Sequence, residues 1–238
     1  MKDTAKTRQL FLGVVLIAAF ALWTALVQLV DVQPIGQNGT NIGFATINTW
    51  FHGLTGVHTG LYTVTDWLGL VPIAICLGFA AFGAVQLVAR RGMLRVDPDI
   101  LLLGVYYIAV IFFYLIFEMV PINYRPIPIE GVMEASYPSS TTLLVLSVMP
   151  TLKFQVDRRS SNMLLRKATA MFVITFSVFM VVGRLISGVH WATDIVGSVL
   201  LAFGLFALYR FAVAYIDAKL SITKSEGRRW SSMRSCRS

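Results

Sequence analysis

The sequence predicts an all-α membrane protein, a bundle of about six transmembrane helices, and three observations carry that expectation. Hydrophobic residues make up 56% of the 238-residue chain and charged residues only 13%, with a mean hydropathy of +0.71. That is roughly half the charged fraction of a soluble domain. The apolar residues gather in long runs, and a hydrocarbon core about 30 Å thick takes about 20 helical residues to cross. The basic residues cluster at alternate ends of those runs, as topological sorting across a bilayer requires. No polar stretch is long enough for a separate soluble domain, so residues 1–238 are expected to form a single membrane domain.

The first apolar run, 10–30, is too long for the core of a signal peptide, and no clear small-residue cleavage site follows it. It is expected to remain as a helix. The loop 31–60 carries Ile47, Trp50, Phe51 and Leu54, which suit either an interfacial helix or a packed cap over the helix ends. His52 and His58 in that loop are read as ordinary polar contacts. Further spans are expected at 61–89, 100–120, 138–154, 168–187 and 192–214, the fourth of the six being short and the last two nearly touching. Cys76 lies in an apolar run and Cys236 in a basic tail, so neither a disulfide nor a metal pair is expected.

Six spans put every Lys and Arg except Arg125 and Arg184 on one side of the membrane. That side is then cytoplasmic and holds both termini. The same sorting accounts for the net charge of +8, so nucleic acid is not an expected partner. The tail at about 217–238 is expected to lie against anionic headgroups. Arg125 and Arg184 fall on the outer side, where sorting disfavours arginine, so they are expected to serve something other than topology.

Three segments meet on that outer side: Asn123-Tyr124-Arg125-Pro126, Tyr137-Pro138-Ser139-Ser140-Thr141-Thr142, and the stretch from Gly183 to Asp194. Each has a use for phosphate. Arginine presents a planar fork of donors that is never neutralised. Pro138 suits the first turn of a helix, leaving the N–H groups of Ser139, Ser140 and Thr141 to face an anion with the helix dipole behind them. His190 and Asp194 are four apart and share a helix face if the sixth span starts near His190. Asp194 would then hold the imidazole in one tautomer and free its other nitrogen for attack. An aspartate at the end of a membrane helix is costly without such a partner.

This arrangement resembles the type 2 phosphatidic acid phosphatase family, the membrane lipid phosphatases. Their pattern is Lys-x6-Arg-Pro, then Pro-Ser-Gly-His, then Ser-Arg-x5-His-x3-Asp. Arg184, His190 and Asp194 match the third motif with its spacing, and Gly183 replaces its serine. Arg125-Pro126 and Pro138-Ser139 keep parts of the first two, but Glu118 stands for the lysine, Ser140 for the glycine and Thr141 for the histidine. The likeness covers about residues 100–215. It implies that His190 is the nucleophile and forms a phosphohistidine, that Asp194 orients it, and that Arg125, Arg184 and Ser139 clamp the phosphate. It also implies that no metal or other cofactor is needed.

The resemblance therefore implies a lipid phosphatase or phosphotransferase at the outer face of the cell membrane, acting on an isoprenoid diphosphate or a related phospholipid. The family's second-motif histidine protonates the leaving group, and Thr141 cannot act as that acid. A positioned acid contributes about 10²–10⁴-fold, which matters most for a basic alkoxide. A diphosphate lipid expels a phosphate with a pKa near 6 and needs that proton little. Glu118 and Thr141 favour the alternative, a non-catalytic relative that binds a lipid phosphate or regulates a partner, whereas His190 and Asp194 favour an enzyme.

In a background lacking Cys76 and Cys236, a cysteine at Ile129 is expected to react with a membrane-impermeant thiol reagent in intact cells. Protection until the membrane is broken would reverse the orientation.

Overall fold

The computed structural model describes residues 2–235, with side chains for residue 4 and for residues 6–221 and 223. Cys236 and Arg237 lie outside the described residues, as do the side chains of Lys2, Lys224, Arg228, Arg229 and Arg234. The helices are α1 (Lys2–Leu29), α2 (Ala45–Thr55), α3 (Thr59–Leu68), α4 (Leu70–Arg90), α5 (Pro98–Met119), α6 (Ser140–Arg159), α7 (Met163–Ile186) and α8 (Ala192–Ser235). Among the described residues the extended backbone is limited to isolated bridges, such as Tyr124 with Ala135.

Five helical stretches are long and apolar enough to cross a membrane: Lys6–Leu29, Thr59–Arg90, Pro98–Met119, Met163–Ile186 and Ala192–Ser221. The second is α3 and α4 joined at Gly69. The expected fourth span is α6, which reaches the length of a span with 20 residues but not the apolar composition. It packs against α4, α5, α7 and α8, so little of it needs to satisfy lipid. Its buried face includes Thr142, Ser147, Thr151 and Gln155. Tyr106 of α5 donates to the Ser147 carbonyl at 2.9 Å, Tyr107 pairs with Thr151 at 2.7 Å, and Gln155 donates to Tyr209 of α8 at 2.7 Å. These bonds satisfy the Thr151 and Gln155 side chains, which would be costly in hydrocarbon, while the Ser147 hydroxyl stays buried without a partner.

α8 lies against α1, α5 and α6. Its approach to α1 depends on small residues. A Cβ at Gly13 would stand 2.7 Å from Leu208, and one at Gly204 would stand 2.9 Å from Ile17. Close backbone approach through glycine is how membrane helices gain packing where lipid supplies no hydrophobic drive.

Several boundaries differ from expectation: α1 starts at Lys2 rather than 10, and α6 runs to Arg159 rather than 154. α7 starts at Met163 rather than 168, because Asn162 caps it by accepting from the N–H groups of Leu164 and Leu165 at 2.9 and 3.2 Å. α8 continues to Ser235 rather than ending near 214. The apolar pattern stops there, but the Lys, Ala and Leu residues that follow are no helix breakers.

α2 packs as a cap over the helix ends, one of the two readings of the 31–60 loop. Its inner face buries Ala45 and Asn48, and Asn48 donates to Thr193 at 3.0 Å at the start of α8. Its outer face exposes Ile47, Trp50 and Leu54. At the opposite end of the bundle, Asp99 pairs with Arg158 and Arg159 at 3.3 and 2.8 Å, and Arg158 reaches Asp217 at 2.8 Å. This network joins the start of α5, the end of α6 and the far part of α8.

Candidate active site

At the other end, the loop 120–139 folds as a narrow hairpin over the start of α8. Arg125 N–H donates to the Glu134 carbonyl at 3.1 Å, and Ser136 N–H donates to the Asn123 carbonyl at 2.9 Å. The two limbs therefore place Asn123 and Arg125 beside Ser136 and Glu134. Trp191 anchors the hairpin through its indole N–H to the Tyr124 carbonyl at 2.9 Å, and Gln37 holds the Arg125 carbonyl at 2.8 Å.

Asp194 stands in the first turn of α8 with its side chain fully buried. Its carboxylate accepts from the Trp191 backbone N–H at 2.9 Å and from Asn123 at 3.4 Å. A third, short bond comes from the Ser136 hydroxyl. The return bond from residue 194 to the start of its own helix has the geometry of a capping box.

His190 does not share a helix face with Asp194, because α8 begins only at Ala192. Its Nδ1 is 3.8 Å from the nearest Asp194 oxygen, beyond hydrogen-bond distance. Ser136 fills the gap, with its Oγ 3.0 Å from His190 Nδ1. A hydroxyl has one proton, and Ser136 gives its proton to a carboxylate that can only accept. Nδ1 must then carry the hydrogen that Ser136 accepts, which leaves Nε2 without a hydrogen. Its lone pair accepts a long bond from Arg184 Nη2 at 3.4 Å.

His190 is neutral at physiological pH. Burial first, and then the positive charges of Arg125 and Arg184, push its imidazole well below the ordinary value of 6.5. Both arginines are close enough to act on the ring, and both are buried, at 6% and 1% exposure. Each has a carboxylate nearby: Glu134 is 3.1 Å from Arg125 Nε, and Asp66 is 3.5 Å from Arg184 Nη1. Even so, Nε and Nη1 of both guanidinium groups are buried without a hydrogen-bond acceptor, since the N–H bonds do not point at those carboxylates. Buried unpaired donors are rare and mark a place shaped for an acceptor.

α3 completes the surroundings. The Arg184 guanidinium lies over the Tyr62 ring at 5.0 Å. The glycine at 183 has a steric cause, because a Cβ there would sit 2.7 Å from the Thr65 methyl. Gly188 allows the turn between Arg184 and His190, with φ at +71° and its Cα side facing the Gly56 carbonyl, 2.1 Å from any Cβ.

The second segment is arranged differently from expectation. Ser139 is fully buried; its hydroxyl donates to Thr142 at 3.1 Å and its N–H to the Asp194 carbonyl at 3.3 Å. It therefore ties α6 to α8, and its donors are not turned to the arginines. Ser140 and Thr141 occupy the first turn of α6, where N–H groups have no partner within the helix. Thr141 packs toward Gly69, its methyl 3.6 Å from a Cβ position there. Glu118 lines a small pocket together with Ser140, Ala135 and Tyr137, so it does not point away from this end of the bundle. Ser136 and Asn123 were given no role by sequence; the available signal was that Asn123 opens the Arg125 segment and Ser136 directly precedes the Pro138 segment. His52 donates to the Gly188 carbonyl at 3.1 Å and His58 to the Thr55 carbonyl at 2.9 Å, as polar contacts of the kind expected. Among the described residues no group of His, Cys, Asp and Glu could hold a metal ion.

The PAP2 superfamily profile matches residues 72–217, beginning well before the stretch in which the motifs were recognised. The chain is similar in fold to a transmembrane PAP2-type phosphatidylglycerolphosphate phosphatase from Bacillus subtilis, with a TM-score of 0.60 and 18% sequence identity. That likeness covers 87% of this chain and 96% of the other. No curated protein sequence matches.

In nuclear magnetic resonance of ¹⁵N-histidine-labelled protein, assigned against His190→Asn, the His190 ring is expected to keep its hydrogen on Nδ1 and to titrate below pH 6.5. Arg125→Gln should move that titration upward, because one of the charges opposing the imidazolium is gone. A His190 ring that titrates at or above 6.5 would contradict the burial and the charge pair together.

Proposed function

Because the chain belongs to the PAP2 superfamily, we propose that it is a membrane lipid phosphatase or phosphotransferase that works through a phosphohistidine at His190. The observation that carries this is the pair of buried guanidinium groups with unpaired N–H donors, set beside a neutral imidazole whose Nε2 carries no hydrogen and meets Arg184 Nη2 in a long 3.4 Å bond. Mere binding of an anion needs the arginines but not an oriented nucleophile.

In the proposed reaction, Arg125 and Arg184 hold the oxygens of the transferred phosphoryl group and offset the charge that builds on them. The first-turn N–H groups of Ser140 and Thr141 add donors from the α6 end. His190 Nε2 attacks phosphorus; the N–P bond forms and the bond to the leaving oxygen breaks, its electron pair departing with that oxygen. The imidazole becomes positively charged, and the Nδ1–H bond to Ser136, backed by Asp194, stabilises that charge. Water or an acceptor hydroxyl then attacks phosphorus; the new O–P bond forms as the N–P bond breaks, its electron pair returns to Nε2, the attacking oxygen's proton passes to solvent, and neutral His190 is restored. The asymmetric distribution of Lys and Arg supports an orientation with this end outside the cytoplasm and both termini within it.

The substrate proposed is a lipid diphosphate, such as an isoprenoid diphosphate. With Thr141 in the place of the family's acid, a leaving phosphate is tolerated and a leaving alkoxide is not. Asp66 and Glu134 are the carboxylates beside the arginines, and Glu118 adds a third near Ser140. All three weaken anion binding when ionised, so binding is expected to be weaker than in a site with the motif lysine.

The first test is phosphate release by purified protein from a panel of lipid mono- and diphosphates. His190→Ala should abolish turnover, Asp194→Asn should reduce it by roughly 10³–10⁴-fold, and Ser136→Ala should lower kcat by roughly 10–100-fold with little change in KM. Full activity in His190→Ala removes the phosphohistidine route, and inactivity of the wild type on the whole panel favours a binding role.

A second expectation concerns selectivity. Wild type should prefer diphosphates by kcat/KM, and Thr141→His should raise monoester turnover by about tenfold to a hundredfold, at the low end of general-acid effects. Equal wild-type rates on both classes would mean that another group, Asp66 or Glu134, supplies the proton.

A further inference from the structure

α7 and α8 are joined at the active-site end and each packs along α6, yet they touch one another little. The two therefore spread apart toward the basic end and leave a cleft of about 670 Å³ floored by α6. Its walls are apolar, with Val178 and Val182 on α7 and Val199 and Phe203 on α8. Val178 and Phe203 are 57% and 41% exposed, so the cleft opens sideways, where a bilayer would stand. Along α8 it runs from Val199 to Arg210, about 16 Å at 1.5 Å per residue. That is the depth of one leaflet, half of a core about 30 Å thick.

The polar end of the cleft is lined by Lys153, Asp157 and Arg210. Asp157 is shared between Lys153 and Arg166, which leaves the group with excess positive charge. The other cations nearby are already matched: Arg158 and Arg159 are paired with Asp99, Asp97 and Asp217. Arg210 is the exception. Its guanidinium lies over the Phe154 ring at 5.8 Å, and among the described residues no carboxylate forms an ion pair with it.

We propose that this cleft binds one anionic phospholipid of the leaflet at the basic end, with its phosphate between Lys153 and Arg210 and an acyl chain along α7 and α8. The match is of charge and of length. A zwitterionic lipid brings a cation toward Arg210, and a long polyisoprenoid entering from the active site would overrun a cleft one leaflet deep. The site is separate from His190, which stands at the other end of both helices. Only the identity of the leaflet, cytoplasmic, rests on the orientation proposed above. A lipid seated here would hold α7 and α8 at a set spread, and so would bear on the hairpin that carries Arg184, His190 and Asp194.

Native mass spectrometry of the full-length protein, titrated with phosphatidylglycerol or with phosphatidylcholine of the same chains, tests this. Wild type is expected to retain one phosphatidylglycerol in preference to phosphatidylcholine. Arg210→Gln, at an exposed position where folding is not at risk, should weaken retention roughly fivefold, and adding Lys153→Gln should weaken it further by a similar factor. Val178→Trp should exclude the lipid by filling the cleft, while Arg184→Gln leaves retention unchanged. Equal retention of the two lipids would overturn the proposal, and so would a preference that survives the Arg210→Gln and Lys153→Gln pair. Loss of retention in Arg184→Gln but not in Arg210→Gln would place the lipid in the active site instead. None of these outcomes depends on turnover, so failure here is distinct from failure of the phosphatase proposal.

Discussion

A carboxylate buried in the first turn of a membrane helix costs several kcal/mol unless it is fully hydrogen-bonded. Asp194 meets that demand by drawing three pieces of chain onto itself. The Trp191 N–H comes from its own helix start, the Asn123 amide from one limb of the hairpin and the Ser136 hydroxyl from the other. Satisfying one buried charge thus fixes where the 120–139 hairpin lies, and with it Arg125. The orientation of His190 follows from the same bonds, because Ser136, with its one proton given to Asp194, can only accept from Nδ1. Structural necessity and chemical readiness are here the same set of hydrogen bonds.

The opposing demand comes from the arginines. Burial of the ring holds His190 neutral, and two buried guanidinium groups beside it add to that effect. Such a pair is tolerated because Glu134 and Asp66 lie within ion-pair distance and the Tyr62 ring covers one of them. The compensation is loose. The carboxylates are near enough to offset charge and too poorly aimed to use the donors, so the N–H bonds stay available to a better acceptor. α3 supplies Tyr62 and Asp66, and it can lie this close to α7 only because residue 183 is glycine.

The departures from the family pattern gain different weights once they are placed in space. Gly183 is explained by packing against Thr65. Thr141 lies toward the α3–α4 joint at Gly69, at the same end of the bundle as Asp66. Glu118 shares a pocket with Ser140 and so contributes a negative charge to the α6 end. The first departure is structural, and the other two lie at the end of the bundle that holds the arginines.

Much of the architecture was legible in the residues alone. Apolar run lengths locate five of the spans, since hydrocarbon thickness sets a minimum length for any span. The side preference of Lys and Arg sets Arg125 and Arg184 apart, and the spacing from Arg184 through His190 to Asp194 marks the segment that the structure places beside Arg125. What sequence could not determine depended on contacts between distant segments. α6 is too polar to pass as a lipid-facing span, and only its enclosure by α4, α5, α7 and α8 explains that. Ser136 lies 54 residues from His190 and 58 from Asp194, so no local pattern joins the three. A spacing of four suggested a direct contact on one helix face; the helix instead starts after His190, and the gap that results is closed by a hydroxyl from the hairpin. Local periodicity reports which residues share a face. Which hydrogen bond closes a gap between chain segments is set by the packing of the whole bundle.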